Sequence, residues 1–381
     1  MIYNSNILLI LNFLFSPAII ILFVVSKNYE IASYFGLISA FVIFFTQSLS
    51  SNKRQMIIIS NNLNLLKETI SFRRLVSLMI LIILFIFLYF INTNKYSILL
   101  FLLSTCLCLF WIKEMIITEY ELKKKNKIIF FETFLYISFY LSIIFVIYLK
   151  KNIYDLEKIL VFFLSIFFLL LLQSFKKNKK KDSLFKKNYL SIKIDTSYLS
   201  SFSMIFCNLL WRICIFSFTN ESKAGLFYAA FSLGSMPSTL FVNTLGPHLV
   251  KLKNSDKIFN GFLVIYSVLV CIIIFLFNKY LLINSQKLFI EILSFSLIGS
   301  ILMLLGQYKR HKILLNFLKK KDKIFLNDAI YSILLFALIP IIYFIGGESF
   351  LRTGFFLGSI LCLIYYYFLE IYLSNYDKQN I

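Results

Sequence analysis

Apolar stretches of about 17–25 residues follow one another along this chain, each long enough to cross ~30 Å of hydrocarbon as a helix. Twelve are read, at 7–25, 32–50, 75–91, 97–112, 128–149, 159–174, 198–219, 224–250, 259–277, 288–306, 328–346 and 353–373. Composition agrees: 60% of residues are hydrophobic, 15% are charged and the mean hydropathy is +0.83, outside the range of soluble globular proteins. The expected fold is therefore an all-α integral membrane protein with about twelve transmembrane helices, six in each half. The fourth stretch is short, and the eighth is long enough that it must tilt, bend or run past the membrane surface. The first run lacks a basic leader and a small-residue cleavage site, so it reads as a retained span.

The net charge of +21 gains meaning only when the basic residues are placed between the spans. With the N-terminus inside, 29 of the 39 Lys and Arg fall in the tail and loops on the inner side, and 9 fall on the outer side. The remaining one, Arg212, lies within a span. This is the positive-inside pattern, and it predicts cytoplasmic N- and C-termini in a bacterial cytoplasmic (inner) membrane. A nucleic-acid partner gets no support, because the basic residues follow the topology. The run "KKNKKKDSLFKK" at 176–187 reads as a solvated linker, with anionic lipid headgroups as the alternative contact.

The sequence has no Gly-rich phosphate loop, CxxC pair, HExxH or GxSxG motif. His248 follows Pro247 at an expected helix end and His311 lies in the basic run "YKRHK", so neither reads as catalytic. The six cysteines fall inside expected spans without metal or disulfide spacing and read as apolar packing residues. Neither a metal nor a cofactor is expected, beyond coupling to a proton or cation gradient.

A short pattern recurs 192 positions apart: "NYEIASYFGL" at 28–37 and "NESKAGLFYA" at 220–229 share Asn28/Asn220, Ala32/Ala224 and Phe35/Phe227. An even number of spans separates the copies, so both enter the membrane in the same direction. The expected repeat is parallel, with its pseudo-twofold axis along the membrane normal. It divides the chain into an N-terminal six-helix lobe at 1–175, a basic cytoplasmic linker at 176–197 and a C-terminal six-helix lobe at 198–381.

Helical periodicity gives the second helix a small and polar face of Gly36, Ala40, Gln47, Ser51 and Arg54. The eighth helix has a corresponding stripe of Gly225, Tyr228, Ser232, Ser235, Thr239, Asn243 and Gly246. Small residues on such faces serve close helix packing, whereas Gln47, Asn243 and Arg54 favour a hydrated cavity between the lobes. In "CNLLWRICIF" Arg212 shares a face with Asn208 and Ser201. An intramembrane guanidinium costs about 2.5–3.5 kcal/mol on insertion scales. Two readings stand for it: a position on a watery route, where its planar fork suits phosphate or pyrophosphate, or snorkelling to the membrane surface. Asn12 and Ser16 form a similar pair on the first helix, and Ile20 occupies the position that matches Arg212.

Glu132 and Glu291 are the candidates for ion coupling, with interfacial pairing as the commoner alternative. The segment 113–127, "KEMIITEYELKKKNK", reads as a solvated helical extension with Glu119/Lys123 and Glu121/Lys125 pairs. Pro17, Pro237 and Pro247 mark bends in helices 1 and 8, as gates or as static kinks.

Two six-helix lobes, the basic linker, "AGLFYAAFSLGSMPSTLFVNTLGP" and "FFTQSLSSNKRQ" together make the chain resemble polysaccharide-type flippases of the multidrug/oligosaccharidyl-lipid/polysaccharide (MOP) exporter superfamily, the group that contains bacterial O-antigen flippases. The resemblance implies a MATE-like pair of lobes carrying undecaprenyl-diphosphate-linked oligosaccharide outward by alternating access, for surface polysaccharide biosynthesis. It implies pyrophosphate contacts for Arg54 and Arg212, and sugar contacts for Gln47, Ser51, Asn208, Thr239 and Asn243. Membrane lipid and other polysaccharide-assembly membrane proteins are the implied partners. No covalent chemistry is expected. The alternatives are a polytopic polysaccharide polymerase or lipid-linked glycosyltransferase, disfavoured by outer loops of only about four to ten residues, and a small-solute or drug exporter.

Overall fold

The structure, a computed structural model, describes residues 2–48, 57, 63–90, 96–148, 153–176, 196–242, 254–281, 287–317 and 321–378. The long helices among them are α1 (Ile2–Val25), α2 (Tyr29–Ser48), α3 (Leu63–Phe90), α4 (Ser97–Leu122), α5 (Asn126–Tyr148), α6 (Ile153–Lys176), α7 (Thr196–Phe218), α8 (Glu221–Leu240), α9 (Ser255–Leu281), α10 (Lys287–Asn316), α11 (Lys321–Leu351) and α12 (Gly354–Lys378). Nine of these, all but α1, α6 and α8, are long and apolar enough among the described residues to cross a membrane. The protein is an all-α, multi-pass membrane protein. Its chain divides into two compact units, Met1–Tyr198 and Leu199–Ile381.

Several helices extend beyond their apolar windows. The fourth stretch, expected to be short, belongs to a helix of 26 residues, and α3 begins at Leu63, well ahead of position 75. The solvated extension expected at 113–127 is corrected in its first half: Lys113, Met115, Ile116, Ile117 and Thr118 are buried. The physical reason is that hydropathy falls at a charge, but a helix continues wherever that charge finds a partner. Glu119 and Lys123 do pair, whereas Lys125 lies beyond the helix end, its ammonium 5.9 Å from the Tyr120 ring centre.

In the first unit α4 is the central element, with α1, α2, α3, α5 and α6 packed around it. Phe15, Phe110, Tyr136, Phe139 and Phe167 form an aromatic core across α1, α4, α5 and α6. Phe15 meets Phe110 edge-on with centroids 5.0 Å apart, and Phe110 lies 4.8 Å from Tyr136. Such pairs add about 0.5–1.5 kcal/mol beyond area burial.

In the second unit α10 lies between α8 and α12. A Cβ on Gly234 would stand 2.7 Å from the Ser296 carbonyl oxygen, one on Gly299 3.0 Å from the Phe356 Cα, and one on Gly306 2.7 Å from Cys362 Sγ. Ser296, Ser300 and Ser359 at this seam are fully buried and return their hydroxyls to their own helix carbonyls. Small residues therefore let three backbones approach closely, the means by which helices associate in lipid. Near its C-terminal end α11 breaks at Gly347, where φ 60° and ψ −150° define a region open essentially to glycine alone.

The matching residues of the sequence repeat play matching parts. Ala32 and Ala224, and Phe35 and Phe227, are all fully buried. The first helical amide of each hairpin reaches back to the asparagine carbonyl, Ala32 to Asn28 and Ala224 to Asn220. Asn220 also caps α8 through its side chain, which accepts from the Lys223 amide at 2.9 Å.

Gly306→Val is expected to destabilise the protein by about 1–3 kcal/mol through overpacking of the α10–α12 seam. Gly261→Ala in α9, where an added Cβ meets nothing within 4 Å, is expected to be neutral or stabilising by up to ~1 kcal/mol. Thermal unfolding in detergent measures both.

Candidate functional site

Of the residues expected to line a transport route, Ser51, Arg54 and Asn243 lie outside the described residues, as do Pro247 and His248. Gln47 on α2 is exposed, and so is Thr239 on α8, the residue that matches it at the repeat offset. The polar stripes are divided along their length: Gly36, Ala40, Gly225, Tyr228 and Ser232 are buried as packing residues, while the stripes reach the surface only toward their far ends.

Arg212 is half-buried on α7, with the exposed Asn208 one turn before it. Its guanidinium lies over the ring of Tyr228 from α8, 5.5 Å from the centroid. The Tyr228 hydroxyl donates to the Arg212 carbonyl oxygen at 2.5 Å. The next residue back, Trp211, donates its indole N–H to the Leu335 carbonyl of α11 at 2.9 Å. One tyrosine thus fixes both the backbone and the head of Arg212, and a cation over an aromatic face is stabilised by about 0.5–2 kcal/mol. Arg212 sits near the C-terminal end of α7 and Tyr228 about two turns into α8. The guanidinium therefore lies level with the second to third turn of the hairpin's second helix.

The two acidic candidates are both paired. Glu132 is 4% exposed and accepts from Lys113 Nζ at 2.5 Å. The ammonium also stands 4.2 Å from the centre of the Phe167 ring and 5.2 Å from that of Tyr136. Glu291, partly exposed in the first turns of α10, accepts from Arg352 Nη1 at 2.5 Å. His311 is partly buried, its Nδ1 2.9 Å from the Gln307 carbonyl and its ring edge-on to Phe241. All six cysteines are free thiols, four of them buried.

Two ion pairs, each with one buried partner, are absent from the sequence reading. Arg73 of α3 reaches α4, donating to the Trp111 carbonyl at 2.5 Å and to Glu114 at 2.7 Å. In the second unit Asp328, fully buried, takes Arg310 Nε on Oδ1 at 3.0 Å and Arg310 Nη2 on Oδ2 at 2.6 Å. Tyr366 donates to Oδ1 at 2.7 Å and Ser200 to Oδ2 at 3.1 Å. This one carboxylate joins α7, α10, α11 and α12. Arg310 sits in the basic run "YKRHK" and Asp328 at the first position of an apolar window, so each looks interfacial in the sequence. The signal that marks Asp328 is an acid immediately followed by a long run without charged residues in a chain with only 18 acids.

Among the described residues no group of three or more His, Cys, Asp or Glu is arranged to hold a metal ion. Comparison of the chain with protein-family models, curated proteins and solved structures finds no match. The class defined by the fold is thus the multi-pass helical membrane protein described above, and functional assignment rests on its own residues.

Asp328→Ala leaves the largely enclosed Arg310 without its counter-ion and is expected to cost about 3 kcal/mol. Glu291→Gln, at a half-exposed pair, is expected to cost no more than about 1 kcal/mol. Chemical denaturation followed by tryptophan fluorescence distinguishes the two.

Proposed function

We propose that this protein is a flippase: a transporter that moves a lipid-linked anionic glycan, of the undecaprenyl-diphosphate-linked oligosaccharide class, across the bacterial cytoplasmic membrane. The observation that carries the reading is Arg212, an intramembrane guanidinium held over Tyr228 and reaching the surface of its own unit beside the exposed Asn208. A fixed positive fork at membrane depth suits the pyrophosphate of such a carrier. The positive-inside distribution supports cytoplasmic termini, and the parallel repeat supports two six-helix lobes built from twelve spans and working by alternating access. The head group is moved intact, without bond cleavage, while the polyprenyl tail stays in lipid.

Arg54 is assigned the second pyrophosphate contact, and Gln47, Ser51, Asn208, Thr239 and Asn243 the sugar contacts. These contacts differ in strength between the two access states, because a ligand bound equally in both shifts nothing.

The test is reconstitution into liposomes with a defined undecaprenyl-diphosphate oligosaccharide and a leaflet-specific readout. Arg212→Ala is expected to slow transfer by about ten- to a hundred-fold, the equivalent of a lost charged hydrogen bond. Arg212→Lys, which keeps the charge but not the fork, is expected to fall between. Unchanged transfer by the Arg54→Ala/Arg212→Ala double variant, with normal membrane insertion, would overturn the assignment.

A further inference from the structure

The fourth helix of each unit ends in basic residues, and the two ends are treated differently. On α10, Lys309 pairs with Glu370, Arg310 with Asp328 and Lys312 with Asp256. In the first unit Lys123 closes α4 and pairs with Glu119, but Lys124, Lys125 and Lys127 follow it directly. All three are exposed. Among the described residues none of them is joined to an acid, Glu121 on the last turn of α4 included.

The turn is also built against its own local preferences. Lys124 has φ 53°, in the left-handed region that a side chain such as lysine occupies at a cost. α5 opens with Lys127 as its second residue and no acid in its first turn, although the amide end of a helix favours negative charge. Neighbouring lysines repel one another as well. Local rules are broken in this way at functional sites, where something else offsets the cost. Directly below the lysines α5 turns an apolar face outward. Phe130, Phe131 and Phe134 are 67%, 51% and 61% exposed, and helical geometry sets them within about 60° of Lys127. From Lys127 to Ile137, also exposed, the rise is about 15 Å, half of the ~30 Å of bilayer hydrocarbon. This upper part of the face is one leaflet deep, with the cationic turn at its rim.

We infer that the α4–α5 turn holds an anionic phospholipid, with its phosphate on Lys124, Lys125 and Lys127 and its acyl chains along Phe130, Phe131 and Phe134. Charge and depth together select this occupant. The lysines lack a counter-ion, and the phenylalanines continue below them to the depth an acyl chain reaches. A soluble phosphate or nucleotide would meet the lysines and leave the apolar face without a part. A second copy of this chain packed here by twofold symmetry would set the two lysine clusters against each other. The inference does not depend on what the protein transports.

The experiment places the full-length protein in phosphatidylcholine liposomes with a trace of phosphatidylglycerol that carries a photoreactive acyl chain. Labelled peptides are mapped by mass spectrometry, with phosphatidylcholine bearing the same chain as the reference. Phosphatidylglycerol is expected to mark residues 130–137 in excess over the reference, and the excess to shrink as salt rises. Lys124→Gln, Lys125→Gln and Lys127→Gln should each lower the excess about two- to five-fold. The triple Lys→Arg variant should keep it, because the site requires charge. Lys158→Gln, near the start of α6, should leave it unchanged. Equal marking by the two lipids in the wild-type protein overturns the inference. So does an excess that inorganic phosphate abolishes at constant ionic strength, which would make the turn a site for soluble anions. Cross-links from residues 130–137 to a second copy in place of lipid overturn it too.

Discussion

In hydrocarbon a peptide backbone has no water to bond with, and every N–H and C=O must find its partner within the protein. That requirement makes the described apolar runs of this chain helices, and the rest of the architecture deals with what helices leave unsolved. Lipid offers no hydrophobic reward for bringing two helices together. The second unit meets this with close approach at Gly234, Gly299 and Gly306, and the first with an interlocked aromatic core around Phe110.

Charge is the second unsolved problem, and its solution explains why the helices outgrow their apolar windows. Arg73, Lys113, Arg310 and Asp328 would each be expensive alone at these depths. Each is held by an opposite charge from a neighbouring helix, reinforced by a carbonyl, hydroxyl or ring. The same pairs are weak evidence for stability, since a buried pair often only breaks even against apolar packing. Their value lies in specifying which helix faces which.

This difference also separates what was legible in the sequence from what was not. Helix class and order follow from run lengths, because backbone satisfaction is a local matter decided within each segment. The repeat was visible in Asn, Ala and Phe because those residues have fixed local roles. The pairing of Lys113 with Glu132 spans only 19 positions, and that of Ser200 with Asp328 spans 128. Both depend on which helix faces which, a relation that hydropathy does not encode. Arg310 illustrates the confusion: a basic residue beside three others reads as a membrane-surface charge until a buried aspartate two helix turns into the next segment claims it. Tyr228 likewise read as one member of a polar stripe, whereas it is a buried residue that fixes Arg212.

The echo between Asn28–Phe35 and Asn220–Phe227 has a wider consequence for comparing the halves. Identity survives where both copies perform the same mechanical task, ending a turn and filling the same interior spot. It is lost at Ile20 and Arg212, where one copy is core and the other carries a charge. Likeness between the two units at these positions therefore reflects shared scaffolding, and it ends where one unit needs an apolar filler and the other holds a charge.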